Sequence, residues 1–496
     1  MEMLAHGGRI MDVESSDHIG MLRQMLAALD ADADAPPGAL RVEGRAGLAS
    51  RYPVSGLACA AIGSAALMLA RWARPGDPPS VLLDRALASW WFGYSIRPQG
   101  WKRPDVRDAV TGDYAARDGW IRLHANAAHH RHRALAALGL PDDAARAAVA
   151  ERIRGESAEA LEAAIVERGG CAAALRPPAA WRDHPQGRAV AAEPLVHRLP
   201  GSAAAPDGGG VNGGGAAGGG MASGETTFGG MHAPDPRRPL AGIRVLDLTR
   251  VLAGPAATRF LAAYGAQVLR LDPADWDEPG MIPEVTVGKR CAFLDLRSPA
   301  GQDRFRRLLA GADVLVHGYR PGALDALGLD AETRQALRPG LVDVCLDAWG
   351  WTGPWRGRRG FDSLVQMSAG IAWAGEDAAP DPLPVQALDQ SAGYLMAACA
   401  LRGLALRRET GRGGGWRVSL ARMARLLQEA ADAAPGAPAQ DAPALGPAPD
   451  AAYDPAIEPT GWGPAQRLRA PCRVAGARWG WDLPAGPLRS GPPDWW

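Results

Sequence analysis

Few side chains in this 496-residue chain are placed to do covalent chemistry, and the clearest is a carboxylate at the head of a helical stretch. Asp389 opens the Ala-rich run Asp389-Gln-Ser-Ala-Gly-Tyr-Leu-Met, which continues to Arg408. Unpaired amide N–H groups and the helix dipole favour an ionised carboxylate at such a start. Aspartate is also among the best N-caps, and the two roles are compatible. The densest run of ligand nitrogens is His129-His130-Arg131-His132. No acidic or cysteine ligands cluster beside it, so it reads as a solvated helix start, and no metal is expected. Six cysteines without close pairing make neither a disulfide framework nor a zinc ribbon, and they suit a reducing compartment. Gly208 to Gly220 lack the GxxxxGK[ST] spacing and follow no strand, so they read as a spacer rather than a phosphate loop. Lysine occurs only at 102 and 289, and the remaining cations are arginines, whose forks suit phosphate and carboxylate.

The elements that must position these groups follow from patterning. Lys+Arg and Asp+Glu both number 54, a balance that argues against a nucleic-acid binder. Hydrophobic residues at 47% suffice for a large core. Much of the Gly and Pro excess falls in two stretches, a Gly/Ala-rich linker at 201–237 and an Ala/Pro-rich one at 431–460. They separate an N-terminal extension (1–50), a module at 51–200, a module at 238–430 and a Trp-rich tail at 461–496. In the second module, short apolar strands at 243–249, 266–272, 291–296, 313–318 and 341–348 alternate with helical segments. That alternation predicts an α/β domain, a Rossmann-like, mostly parallel sheet with helices on both faces, although no GxGxxG follows the first strand. The first module predicts a helix over 55–72, a strand at 80–84, a hairpin over 112–126 and three helices, hence a smaller α+β domain. Ser55 to Asp84 and Asp389 to Leu420 are similar, each an Ala-rich helix running into a strand, but the first copy has Pro53-Val54-Ser55 where the second has its carboxylate. Gly413 to Gly415 predict a turn before that strand. The apolar stretch at 57–70 is too short to span a bilayer, and no basic-then-apolar leader opens the chain, so a cytoplasmic protein without membrane partners is expected.

Several segments resemble the family III CoA-transferases, which include formyl-CoA transferase, carnitine CoA-transferases and α-methylacyl-CoA racemases. Pro239-Leu-Ala-Gly-Ile-Arg-Val-Leu-Asp-Leu-Thr249 with Ala253-Gly254-Pro255 looks like the family opening. Gly288-Lys289-Arg290 before Leu294-Asp295-Leu296, Tyr319-Arg320-Pro321-Gly322 before Leu327-Gly328, Gly350-Trp351-Thr352-Gly353-Pro354 and Gly360-Phe361-Asp362 follow in family order. Gly112 to Leu140 and Gly169 to Gln186 resemble the family's later half, so the segments stand in permuted, partly duplicated order.

The resemblance implies CoA and acyl-CoA as substrate, a small carboxylic acid as acceptor, and an aspartyl acyl-anhydride formed on Asp389. It also implies that Arg250, Val251, Leu252, Ala253, Lys289, Arg290, Tyr319 and Arg320 approach CoA. Some relatives carry Gln where Leu252 stands. Members of the family form interlocked dimers, so a homodimer is expected, with the small domain docking in cis or in trans. Trp349, Trp351 and Trp355 are candidates to stack adenine or wall an acyl pocket, and Trp495-Trp496 read as packing anchors or a frayed end. Two other readings stand beside transfer. One is a catalytically inactive paralogue or assembly subunit, since the segment order is scrambled. The other is racemisation, which Phe361 disfavours because a phenyl ring cannot shuttle a proton.

Overall fold

In the computed structural model, residues 17–30, 39–105, 107–203, 234–433 and 443–496 are described. The linker cores at 204–233 and 434–442 and residues 1–16 lie outside the described residues. The N-terminal unit comprises α1 (Ile19–Ala28), β1 (Leu40–Glu43), α2 (Val54–Ala73), β2 (Val81–Asp84), α3 (Arg85–Trp91) and β3 (Ile96–Pro98). The expected extension therefore contributes a helix and a strand to this unit. Helix α2 has 20 residues and, at 1.5 Å per residue, is long and apolar enough to cross a bilayer, longer than the 57–70 stretch implied. Every residue of it except Arg71 is buried inside the protein, between α1, α3 and the long helix described below.

The small domain follows, with β4 (Gly112–Ala116), β5 (Gly119–Leu123), α4 (Ala128–Leu138), α5 (Arg146–Arg154), α6 (Ala158–Glu167) and β6 (Ala172–Ala174). Its sheet has the antiparallel order β4-β5-β6. Alternation along β5 sends Ile121 and Leu123 into the domain's own core, which leaves Arg122 and His124 on the other face. Helices α7 (Pro178–Asp183) and α8 (Pro185–Ala192) lead to β7 (His197–Ala203), so the chain enters a strand where the Gly/Ala linker was expected to begin.

The large domain runs β8 (Arg244–Leu248), α9 (Ala253–Ala263), β9 (Gln267–Asp272), α10 (Ile282–Val285), β10 (Lys289–Phe293), α11 (Pro299–Ala310), β11 (Val314–His317), α12 (Ala331–Leu337), β12 (Val342–Asp347), α13 (Asp362–Ser368), α14 (Ala387–Thr410), β13 (Arg412–Ser419) and α15 (Leu420–Ala433). Its seven strands lie in the order β10-β9-β8-β11-β12-β13-β7, all parallel except the edge strand β7. The six parallel strands have the doubly wound order in which connectivity reverses between β8 and β11, and the crevice beyond their C-terminal ends is where such sheets bind ligands. Gly413 to Gly415 lie inside β13 rather than in a turn, because backbone from Gly201 and Gly340 approaches where a side chain would stand.

The tail is an integral part of the fold. Strand β14 (Glu458–Thr460) pairs with β15 (Gly463–Arg467), which pairs with β3, and β16 (Cys472–Val474) pairs with β2. Trp479 and Trp481 pack on Trp91, and Trp495 donates its indole N–H to the Leu308 carbonyl (3.1 Å). All six cysteines are buried and unpaired.

Two contacts fix the site. Small-domain residues Gln186 and Glu193 grip the turn after β12 within the same chain. Gln186 Nε2 donates to the carbonyls of Trp349 and Thr352 (both 2.9 Å), and Glu193 Oε1 accepts the N–H groups of Trp351 (2.8 Å) and Thr352 (2.7 Å). Helix α14 also lies directly against the first turn of α9, where a Cβ at Gly393 would overlap the Ala253 carbonyl oxygen. Since backbone cannot yield as a side chain can, Gly393→Ala is expected to destabilise the protein by about 1–3 kcal/mol. Urea unfolding of the purified variant measures it, and an unchanged midpoint would show that the two helices separate freely.

Candidate active site

The switch point of the sheet opens into two cavities that meet at Asp389, which is 7% exposed and lines both. The first, of about 340 Å³, is bounded by the loop after β8, the loop after β11 and the segment before α13. The second, of about 260 Å³, lies between the small-domain hairpin, the loop after β9 and the start of α13.

Asp389 is the third residue of α14, yet the helix is capped by another carboxylate. Asp362 Oδ2 accepts the backbone N–H groups of Leu388 (2.9 Å) and Asp389 (3.0 Å), and its Oδ1 accepts Gln366 Nε2 (2.5 Å). The cap expected of Asp389 is thus made by Asp362, because the Asp389 side chain turns into the cavities. Burial pushes Asp362 up to about 6, against the pull of these three donors. Burial, then the negative charge of Asp362, push Asp389 well above the carboxylate range. Of the two, Asp362 is the one that ionises first. The favourable helix end therefore ionises the neighbour first, in contrast to the expected ionised Asp389.

The loop leading to α9 is held under strain. Val251 has φ +63°, a left-handed conformation that β-branched residues rarely adopt. Its N–H is donated to Glu278 (2.8 Å), which also accepts Arg270 (2.7 Å), itself bonded twice to Asp272 (3.0 and 3.1 Å). This buried chain presents Val251 and Leu252 to both cavities, with Ala253 lining the first.

Cations crowd the first cavity. Arg250, Tyr319 and Arg320 line it as expected, with Arg250 over the rings of Trp276 (4.6 Å) and Tyr319 (5.7 Å). Arg358 and Arg359 join them. Arg358 is engaged by Glu162 (2.5 Å), whereas Arg359 is held below the usual guanidinium range by burial and then by Arg320. A guanidinium depressed by a neighbouring guanidinium marks a place for an anion.

Lys289 and Arg290 are not brought here. The Lys289 side chain is sealed beneath α9, where Nζ bonds Asp247 and the Pro255 carbonyl (both 3.0 Å) and ties β10 to β8. Arg290 faces away, donating to the Asp494 carbonyl (3.0 Å) beneath the Trp496 ring. Nor do Trp349, Trp351 and Trp355 line either cavity. Trp349 and Trp355 pack on Trp181 and so help seat the small domain. His130, read as part of a solvated start, is buried, and burial pushes it down to about 3. His124 is likewise pushed down to about 3 and stacks on Phe361 at 3.6 Å. Sequence reasoning did not single out Asp362, Glu278, His124, Arg358 or Arg359. The only signal was that Arg358, Arg359 and Asp362 stand in or beside the Gly360-Phe361-Asp362 segment.

Residues 240–453 match the family described as CoA-transferase family III. The chain is 34% identical over 198 residues to a succinyl-CoA–D-citramalate CoA-transferase of Chloroflexus aurantiacus, covering 37% of this chain and 49% of that protein. It is 28% identical over 316 residues to an acyl-CoA transferase of Gibberella moniliformis, covering 59% and 51%, and 32% identical over 194 residues to the succinyl-CoA:glutarate CoA-transferase of Mus musculus, covering 36% and 44%. The chain thus spans about half the length of these relatives. A hypothetical protein of Mycobacterium tuberculosis of solved structure shares 30% identity, with a TM-score of 0.37 over 39% of this chain and 57% of that one.

The carboxylate pair makes a pH prediction. Removing the charge at 362 lowers the Asp389 pKa, so Asp362→Asn is expected to move the acid limb of kcat/KM to lower pH. The folded carboxyl keeps its proton up to about pH 6, whereas the unfolded one loses it near 3.8. Stability tied to that protonation is full below about 4 and drains away as pH rises through 6. The variant should therefore gain on wild type in urea unfolding between pH 4 and pH 7, and a constant gap together with an unmoved limb would dissolve the pair.

Proposed function

Residues 240–453 match CoA-transferase family III, and from that similarity we propose that the chain moves CoA from an acyl-CoA donor to a carboxylic acid through Asp389. The observation that carries the reading is a buried carboxylate at the junction of two cavities, one of them lined by guanidinium groups. CoA enters the first cavity with its phosphates towards Arg250, Arg320 and Arg359. Its pantetheine arm runs along Leu248, Leu252 and Ala323, which brings the thioester to Asp389.

The chemistry balances without a redox partner. Ionised Asp389 attacks the thioester carbonyl, the C–S bond breaks, and CoA leaves as its thiolate from a mixed acyl–aspartyl anhydride. The thiolate then attacks the aspartyl carbonyl and expels the donor acid. The acceptor carboxylate attacks the aspartyl thioester to form a new anhydride, and the thiolate takes the acceptor's acyl group, restoring Asp389. A proton must leave Asp389 before the first attack, which is the step that the neighbouring Asp362 governs. Phe361 cannot itself shuttle a proton, which disfavours racemisation through that position.

Succinyl-CoA with glutarate is the first pair to assay, since relatives are named for it. Hydroxylamine should trap an aspartyl hydroxamate from wild type exposed to acyl-CoA, and Asp389→Ala should lose both the adduct and at least 10³-fold in rate, about 4 kcal/mol of transition-state stabilisation. Equal turnover in the two proteins would reject the nucleophile. Arg320→Met and Arg359→Met should each weaken CoA binding about tenfold in calorimetry, with a shallower dependence on salt. Unchanged affinity in both would move the phosphates elsewhere.

A further inference from the structure

A transfer reaction must seat a second anion beside the charged Asp362, and the second cavity holds a cation within it. Arg122, on the sheet face of β5 turned away from the small-domain core, is 6% exposed and lines this cavity together with Asp389 and Asp362. One terminal nitrogen donates to Asp113 Oδ1 (2.6 Å). Its Nε is buried and has no protein partner. A guanidinium is always charged, and its rigid fork presents donors two at a time to a carboxylate. A buried fork with an unused edge is a vacancy for such a group. Of the other charges in the cavity, Asp108 is paired with Arg131 (2.9 Å) and Glu278 with Arg270 (2.7 Å), while Asp105 and Asp277 also line it. Arg107 lines the same cavity at its exposed rim and adds a second positive charge on the path inward.

We propose that Arg122 binds the carboxylate of the acceptor acid, so that the second cavity is the acceptor site and the small domain supplies its recognition. The inference rests on the transfer reading above and adds to it where the acceptor enters and what holds it. Acyl-CoA comes from the arginine-lined first cavity, whereas the acid approaches Asp389 from the opposite side, where the departing thiolate does not block it. An anionic acceptor between Asp362 and Arg122 meets one like charge and one opposite charge at close range, which orients it as well as holding it.

The test separates the two substrates. Arg122→Met is expected to raise the KM for glutarate at least tenfold while changing the KM for succinyl-CoA less than threefold. Arg122→Lys, which keeps the charge but loses the fork, should fall between the two proteins. Asp113→Asn removes the ion pair and leaves the guanidinium, so its glutarate KM should stay within threefold of wild type. If Asp113→Asn reproduces the loss, or Arg122→Met raises both KM values alike, the side chain only braces the hairpin and the inference is overturned. Calorimetric titration of glutarate into the resting proteins reads the site without turnover. Saturable binding in wild type that weakens at least tenfold in Arg122→Met supports the anchor even if no acyl-CoA and acid pair is turned over, in which case the transfer reading fails alone. Active wild type with an unchanged glutarate KM in Arg122→Met defeats the anchor and leaves transfer standing.

Discussion

Two carboxylates share the head of one helix, and the rest of the molecule is arranged around the consequences. Asp362 takes the amide N–H groups of Leu388 and Asp389, which frees the Asp389 side chain to turn outward. A carboxylate that capped its own helix would be ionised but spent on its own backbone. One that lies beside the cap stays reachable from the cavities, and burial and its neighbour raise its pKa. In the proposed transfer that raised basicity is what strengthens the ionised group as a nucleophile.

That pair requires close walls on every side, and chain order is secondary to reaching them. The sheet supplies the switch point between β8 and β11, from which Arg250 and Arg320 project. The small domain precedes the large one in sequence, yet it seats against the segment between β12 and α13 of its own chain through Glu162, Gln186 and Glu193, the first of which engages Arg358. A long linker between the modules costs little closure entropy. With the small domain first, the chain closes this enclosure within itself, and the glutamate and glutamine contacts fix how far the two domains stand apart.

Alternating apolar runs and helical stretches made the parallel sheet legible from sequence, since strand period and turn residues are local signals. The segments carrying Arg250 to Ala253, Tyr319 and Arg320 were legible as site material through the family resemblance of their motifs, and Asp389 also through its place at a helix start. Lys289 misled because a motif position does not reveal which face of a strand it occupies, and here Asp247 and the Pro255 carbonyl pull the ammonium beneath α9. Asp362 was hidden because its partners lie 26 and 27 residues further on, and no spacing rule links a helix cap to a residue so far away in the chain. Arg122 was invisible in a strand of alternating character until the docked partner showed which face it shares. The tail was legible only as a Trp-rich segment, but its strands complete two small sheets, a pairing that no local pattern encodes.

The internal repeat shows what turns a helix start into a site. The run β1-α2-β2-α3 parallels β12-α14-β13-α15, with parallel strands in both copies and α2 packed along α14. The third residue of α14 is Asp389, and the third residue of α2 is Gly56. A Cβ at Gly56 would stand 2.6 Å from the carboxyl carbon of Asp17, so a carboxylate from another element fills the space that a side chain at 56 would need. Burial alone would raise the Asp17 pKa, but hydrogen bonds from His18 and from Arg85, whose two donors lie at 2.8 and 2.7 Å, outweigh it and hold the group near 2. Asp17 is thus ionised, fully paired and outside both cavities. Asp389 has no arginine fork upon it, a second carboxylate beside it and open space before it. Both copies place a carboxylate at a helix N-terminus, so that placement cannot be what sets Asp389 apart. Access together with the lack of a cationic partner distinguishes the two, and both arise from the small domain leaving a cavity over one helix while α1 closes the other.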